Sequence, residues 1–278
     1  MKKTKIDKSK NKSEKNTKAK KAAKTKPSKK ELGKRAALIS VAVILSLWTV
    51  IAIGLVTLKL MTYEPVWDEL YDEDFRGEYD TVSDEDGTYC LVPKRIKAGL
   101  IFYTGGLVEH SAYLPLMETL ASRGVLCVMP KLTLNLAFLE VDAADGYKEK
   151  YAKEVPDNNW YLGGHSLGGV AASKYFSEHL GEYAGLVLLA SYTTEDLTLI
   201  DVPVISIYGS EDKILNMDNY EENKANLPAA LLYEYVIEGA NHSGYASYGH
   251  QRGDGEASIT PSVQREKCAD IICGHIIK

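Results

Sequence analysis

The sequence predicts an α/β fold, a mainly parallel sheet with helices on both faces and no large cap domain, preceded by a single transmembrane helix. Three observations lead there. Short, uniformly apolar runs alternate with helical patterns from residue 88 onward, as strands buried on both faces and separated by helices require. One stretch, residues 36–58, has 23 positions without a charge. Between the strand after the main glycine-rich turn and the next one lie only the eleven residues 191–201, too few to build a helical lid.

The amino end is not globular in composition. Residues 1–35 carry 16 Lys or Arg against Asp7, Glu14 and Glu31, a net of +13, and a segment so charged and so poor in apolar groups cannot bury enough surface to fold. From Ala36 to Leu58, Leu, Ile, Val and Ala dominate; Ser40, Ser46, Thr49 and Thr57 can bond to carbonyls of their own helix. That length crosses a bilayer. Thr57 to Thr62 offers no small-x-small cleavage site, so an uncleaved signal anchor is expected rather than a removed signal peptide. Residues 64–86 hold eleven acids against Arg76 alone. The positive-inside rule then leaves the amino terminus in the cytoplasm and the carboxyl-terminal part outside the plasma membrane.

The expected organisation is a basic, disordered tail (1–35), a span (36–58), an acidic juxtamembrane segment with the first strand (59–95) and one domain of ordinary size (96–278). Lys and Arg total 33 and Asp and Glu 38, so the chain is at −5, and at −18 once the tail's +13 is removed. Such acidity excludes nucleic acid as a partner of the globular part; the tail reads as resting on the anionic inner leaflet. Cys90, Cys127, Cys268 and Cys273 make no disulfide framework in a domain this large, Cys127 reads as a small buried hydrophobe, and a Cys268 to Cys273 bridge is open. No metal-ligand spacing occurs, and no cofactor is expected. The oligomeric state is not legible.

Element by element, residues 88–92 and 98–103 read as strands, 111–123 as a helix closed by Gly124, 125–129 as a strand and 135–153 as a helix. Residues 159–163 read as a strand, 166–179 as a helix, 184–190 and 202–208 as strands, 217–225 as a helix, 231–237 as the last strand and 256–275 as the final helix. In such sheets reactive groups collect beyond the carboxyl ends of strands.

Three candidates fall at such ends. Gly164-His165-Ser166-Leu167-Gly168 sets a serine between small residues at a strand-to-helix junction, where the turn tolerates no bulk two positions to either side. No Lys follows these glycines, which argues against a phosphate loop. Ser166 is thus the candidate nucleophile, His242 after the last strand the base, and Asp212 at the exit of the 202–208 strand the acid that orients it, in the chain order Ser, Asp, His. Glu211 and Asp196 remain alternatives to Asp212, and His250 to His242; His165 is expected to pack beneath the turn. An oxyanion would need two fixed N–H donors, that of Leu167 and that of Gly106 or Leu107. Tyr192, Tyr208, Tyr245 and Tyr248 are candidate walls of a rather open site.

Residues 103–109, 163–169, 207–212 and 238–242, followed by Tyr248-Gly249-His250-Gln251-Arg252-Gly253-Asp254-Gly255, together resemble the bacterial α/β-hydrolase fold-5 family over roughly residues 96–278. The resemblance implies nucleophile Ser166, acid Asp212 and base His242, gives Gly249 to Gly255 no chemical role, and names no substrate. The function expected is a membrane-anchored serine hydrolase facing outward and acting on small or surface-presented carboxylic esters. Two other readings use the same residues: an acyltransferase sharing the acyl-enzyme, and a non-catalytic hydrolase scaffold that binds envelope components.

Overall fold

The computed structural model describes residues 28–66 and 78–277; the expectations for residues 1–27 and for the acids between 67 and 77 lie outside them. The chain divides into two compact units, Met1–Leu55 and Val56–Lys278.

Helix α1, Lys29–Met61, is long and apolar enough to cross a membrane, as signal sequences near an amino terminus also are. It overruns the uncharged 36–58 stretch at both ends. At the start, Ser28 and Glu31 explain why: the Glu31 N–H donates to Ser28 Oγ (3.3 Å) and the Ser28 N–H donates to Glu31 Oε2 (3.0 Å), a reciprocal cap that lets basic residues join the first turn. Ser46 and Thr49 donate to the carbonyls of Val43 and Leu45, both at 2.8 Å, so neither hydroxyl is left without a partner.

The second unit is built on one eight-stranded sheet. Its strands are β1 (Tyr79–Ser83), β2 (Tyr89–Pro93), β3 (Ala98–Tyr103), β4 (Val125–Met129), β5 (Trp160–His165), β6 (Gly185–Leu189), β7 (Val204–Gly209) and β8 (Leu232–Ile237). They lie in the order β1-β2-β4-β3-β5-β6-β7-β8. The pairs β1 with β2 and β2 with β4 are antiparallel and all others parallel. Alternation along each strand sorts the core into two layers. Leu100 and Phe102 of β3 face one layer with Met117, Leu120 and Ile272, whereas Ile101 and Tyr103 face the other with Trp160, Ala172 and Phe176.

Helices α2 (Leu114–Ser122) and α6 (Pro261–Ile276) cover the first face, and α4 (Leu167–Glu178) covers the second. The short helices α3 (Tyr147–Lys150) and α5 (Met217–Asn223) complete the set. Between β6 and β7 there is only irregular chain, so no cap domain is inserted there.

Three expectations need correction. The helix expected over 135–153 is instead two 3-10 turns, Thr133–Asn135 and Ala137–Leu139, followed by turns and the single turn of α3. Leu134, Asn135 and Gly146 hold φ of 56, 54 and 80°, a left-handed conformation that breaks a right-handed helix. The edge strand β1 escaped notice because it is polar and largely exposed and so lacks an apolar alternation. The last helix begins at Pro261, not at 256, where Thr260 caps it by accepting the Val263 N–H (3.3 Å). All four cysteines are free thiols.

One close approach sets the spacing between β3 and β5. Gly99 lies opposite Trp160, and a Cβ there would overlap the fully buried indole. Gly99→Ala is expected to destabilise the domain by about 1–3 kcal/mol through overpacking, seen as a lower Tm of the full chain in detergent; an unchanged Tm would mean the indole has room to move.

Candidate active site

The site begins with a backbone problem. Ser166 sits between β5 and α4 with φ 53 and ψ −124°, a conformation an L-residue holds only under constraint. Its N–H donates to Leu189 O (2.9 Å) and its carbonyl accepts from Ser191 Oγ (2.7 Å), which pins it to β6 and the loop beyond. The glycines around it are steric necessities. A Cβ on Gly164 would come within 2.5 Å of the Gly168 carbonyl, and one on Gly168 would overlap the carbonyls of Tyr103 and Thr104.

Asp212 and His242 meet beside this turn. His242 Nδ1 lies 2.8 Å from Asp212 Oδ2, and both side chains are buried. Asp212 Oδ1 accepts the N–H groups of Ile214 and Leu215, each at 2.8 Å. The carboxylate therefore reaches the imidazole already oriented, and the ring is left with Nε2 free. Ser166, His242, Leu167, Val170, Ala190, Ser191, Tyr192, Ile214, Leu215 and Asn216 line a cleft of about 210 Å³. No hydrogen bond joins the Ser166 and His242 side chains.

The alternatives are elsewhere. Glu211 accepts from Ser210 Oγ (3.3 Å), Asp196 is engaged with Thr198 (2.7 Å), and the exposed His250 lies 4.0 Å from Glu256. Of the four candidate wall tyrosines only Tyr192 lines the cleft. Tyr208 packs on Tyr220, while Tyr245 and Tyr248 are buried against His165 and Tyr63, since the core takes rings that the sequence leaves free to face either way.

Of the candidate donors, Leu167 opens α4 and its N–H has no intrahelical partner. The Leu107 N–H donates to Asn135 O at 2.8 Å, so it is not available and drops out. Gly106 is left, and it lies against Leu167: a Cβ on it would be 2.9 Å from Leu167 Cδ2.

His165 does pack under the turn, and its surroundings set its state. The Gly105 N–H donates to Tyr113 Oη (3.0 Å), which also lies 2.7 Å from His165 Nδ1. Burial first, and then the adjacent His242, hold the His165 pKa well below the usual imidazole range. Burial likewise pushes the Tyr113 phenol up. This dyad ties the loop carrying Gly106 to the residue next to Ser166 without adding a charge.

A second carboxylate was invisible as such in the sequence. Asp254 accepts from the N–H of His242 (3.2 Å), Ser243 (2.9 Å) and Gly255 (2.8 Å) and from Ser243 Oγ (3.0 Å). Asn241 adds a bond to Gly255 O (2.8 Å), and Gln264 bonds both the N–H and the carbonyl of Asn241. The glycine-rich stretch 249–255 thus backs the histidine loop. Its only signal in the sequence was that stretch's resemblance. Among the described residues no group of three His, Cys, Asp or Glu is placed to hold a metal.

Residues 99–266 match the model of the alpha/beta hydrolase family. No curated protein matches the sequence. Among solved structures, TT1662 from Thermus thermophilus is similar at 17% identity and a TM-score of 0.51, with 71% of this chain and 98% of that one covered. A thermostable esterase from Pseudomonas putida ECU1011 is similar at 13% identity and a TM-score of 0.53, with 81% and 89% covered. At these identities the two structures attest the fold alone.

Asp254→Ala would strip the acceptor from four backbone N–H groups, those of Lys213, His242, Ser243 and Gly255. Each such loss is worth about 1–3 kcal/mol where the group is buried, so a clear fall in Tm is expected for the full chain; a melting curve superposable on wild type would show that water replaces the carboxylate.

Proposed function

The chain belongs to the alpha/beta hydrolase family, and on that footing we propose that it is a membrane-anchored serine hydrolase of carboxylic esters, working through an acyl-enzyme on Ser166. One observation carries the reading. The Asp212 to His242 hydrogen bond of 2.8 Å stands in the same cleft as a serine held on a strained turn.

The chemistry follows from the atoms. Ser166 Oγ adds to the ester carbonyl carbon and its proton passes to His242 Nε2. Asp212 keeps the other proton of the ring on Nδ1 and offsets the charge of the imidazolium. The carbonyl oxygen, now negative, accepts the N–H groups of Leu167 and Gly106. Collapse expels the alcohol, which takes the proton from His242. Water then enters by the same base, and Ser166 is released as the carboxylic acid departs. The hydrogen bond from Ser166 to His242 is one that closes in the substrate complex.

The cleft's lining suits an apolar acyl or alkyl arm: Val170, Ala190, Ile214 and Leu215 are apolar, with Ser191 and Asn216 as polar points. For location, α1 has no buried residue and 20 or more exposed apolar side chains have no place in water. The basic residues before it and the acids after it support an amino terminus in the cytoplasm and the hydrolase outside.

Ser166→Ala is expected to abolish labelling by a fluorescent fluorophosphonate and to lower p-nitrophenyl ester turnover by about 10⁴-fold or more, with Asp212→Asn losing about 10⁴-fold through the wrong tautomer. Labelling that survives in Ser166→Ala would point to another nucleophile. Protease added to spheroplasts is expected to cut the hydrolase unit without detergent; cleavage that requires detergent, beside an external control that does not, would reverse the orientation.

A further inference from the structure

The residues directly after α1 are bonded to the loop that carries Gly106 and to the chain that follows His242. The Tyr63 N–H donates to Leu107 O (2.7 Å), and the Glu109 N–H donates to Tyr63 O (3.0 Å). The Val66 N–H donates to Ser247 O (2.8 Å), the Arg252 N–H to Tyr63 Oη (3.2 Å), and the Tyr63 ring lies 5.2 Å from that of Tyr248. This strap, Thr62 to Val66, therefore bridges the loop that carries Gly106 and the chain that follows His242. Met61 is the last helical residue, and two extended residues reach about 7 Å at most. The loop that carries Gly106 is thus bonded two residues after the last helical residue.

The rim beside that loop carries apolar side chains that the fold leaves in solvent. Leu134, Phe138 and Leu139 are 42, 55 and 48% exposed, three large hydrophobes within six residues. Their two 3-10 turns adjoin the site on both sides. Asn135 O accepts the Leu107 N–H, Asn135 Nδ2 donates to Glu109 Oε2 (3.3 Å), and the turn at Ala137–Leu139 packs on α4. Glu140 clamps the turns by accepting the N–H (2.6 Å) and the hydroxyl (2.7 Å) of Thr133. The exposure is built in, since a clamped turn cannot fold its side chains back into the core.

We propose that Leu134, Phe138 and Leu139 dip into the leaflet at the carboxyl end of α1, and that the substrates are acyl esters borne by lipids of that leaflet, delivered to Ser166 across this rim. The proposal rests on the serine-hydrolase and membrane-anchor reading above and adds to it the substrate class and the route of entry. The leaflet is the occupant because the chain itself holds these turns near it: only residues 59–62 lie between the uncharged 36–58 stretch and Tyr63, which is bonded to the Gly106 loop.

The test uses the full chain in phosphatidylcholine and phosphatidylglycerol vesicles. An NBD dye is placed on Phe138→Cys in a Cys273→Ser background, the other three thiols being buried. A blue-shifted dye quenched by spin-labelled lipid is expected; a dye with the spectrum it has in water, open to dithionite, overturns the proposal whether or not the protein hydrolyses anything. In parallel, the triple variant Leu134→Ser, Phe138→Ser and Leu139→Ser is expected to lose about tenfold or more on a fluorogenic long-chain acyl ester dissolved in the bilayer, because apolar insertion sets interfacial affinity, while p-nitrophenyl acetate turnover stays within about twofold. Wild type that hydrolyses the soluble ester and ignores the bilayer ester refutes the lipid substrate. Failure on both esters by a folded protein counts instead against the hydrolase reading, and the dye still decides the contact.

Discussion

The backbone at Ser166 is the constraint from which the rest of this site follows. Holding a non-glycine residue at φ 53 and ψ −124° costs on the order of 1–3 kcal/mol, and only a surrounding that leaves no other option sustains it. Here β5 is central in the sheet, wholly buried, and flanked by β3 and β6. Three carbonyls, those of Tyr103, Thr104 and Gly168, approach so closely that a side chain at Gly164 or Gly168 has no room. The strain is what puts the Ser166 side chain at the sheet edge with the first free N–H of α4 beside it.

Around that turn, two carboxylates divide the work. Asp212 gives one oxygen to His242 and the other to two backbone N–H groups; Asp254 gives both of its oxygens to backbone and hydroxyl donors of the loop that carries the histidine. One fixes the ring and the other fixes the chain beneath it. His165 and Tyr113 do the corresponding task for the opposite wall, and do it neutral, since a charged His165 so near His242 would oppose any positive charge forming there.

The end of α1 and the loops around the site are joined by the strap at Tyr63. Three backbone hydrogen bonds, from Tyr63, Glu109 and Val66, and one from the Arg252 N–H to the Tyr63 hydroxyl make the residues after α1 part of the framework around the site's loops. A residue range that reads as a mere acidic connector is thus structural at its first few positions. Nothing in its composition says so, because backbone donors and acceptors are the same in every sequence and acquire partners only when distant segments meet.

The alternating apolar runs, the Gly-x-Ser-x-Gly turn, the uncharged helix and the absence of room for a cap were all decided by local chemistry: period, steric size and length are properties of neighbours in the chain. So was the presence of Asp212 and His242 at strand exits. What only the tertiary structure decided are matters of who meets whom. Asp212 and not Glu211 or Asp196 faces the imidazole, because Gly209 lets β7 run against the loop at Ala240. Leu107 loses its N–H to Asn135, a residue expected in a helix but held at φ 54°, and Gly106 keeps its own. Asp254 acquires its role from a loop twelve residues away. Such pairings depend on sums of weak contacts between segments far apart in sequence, and no window of neighbouring residues contains them.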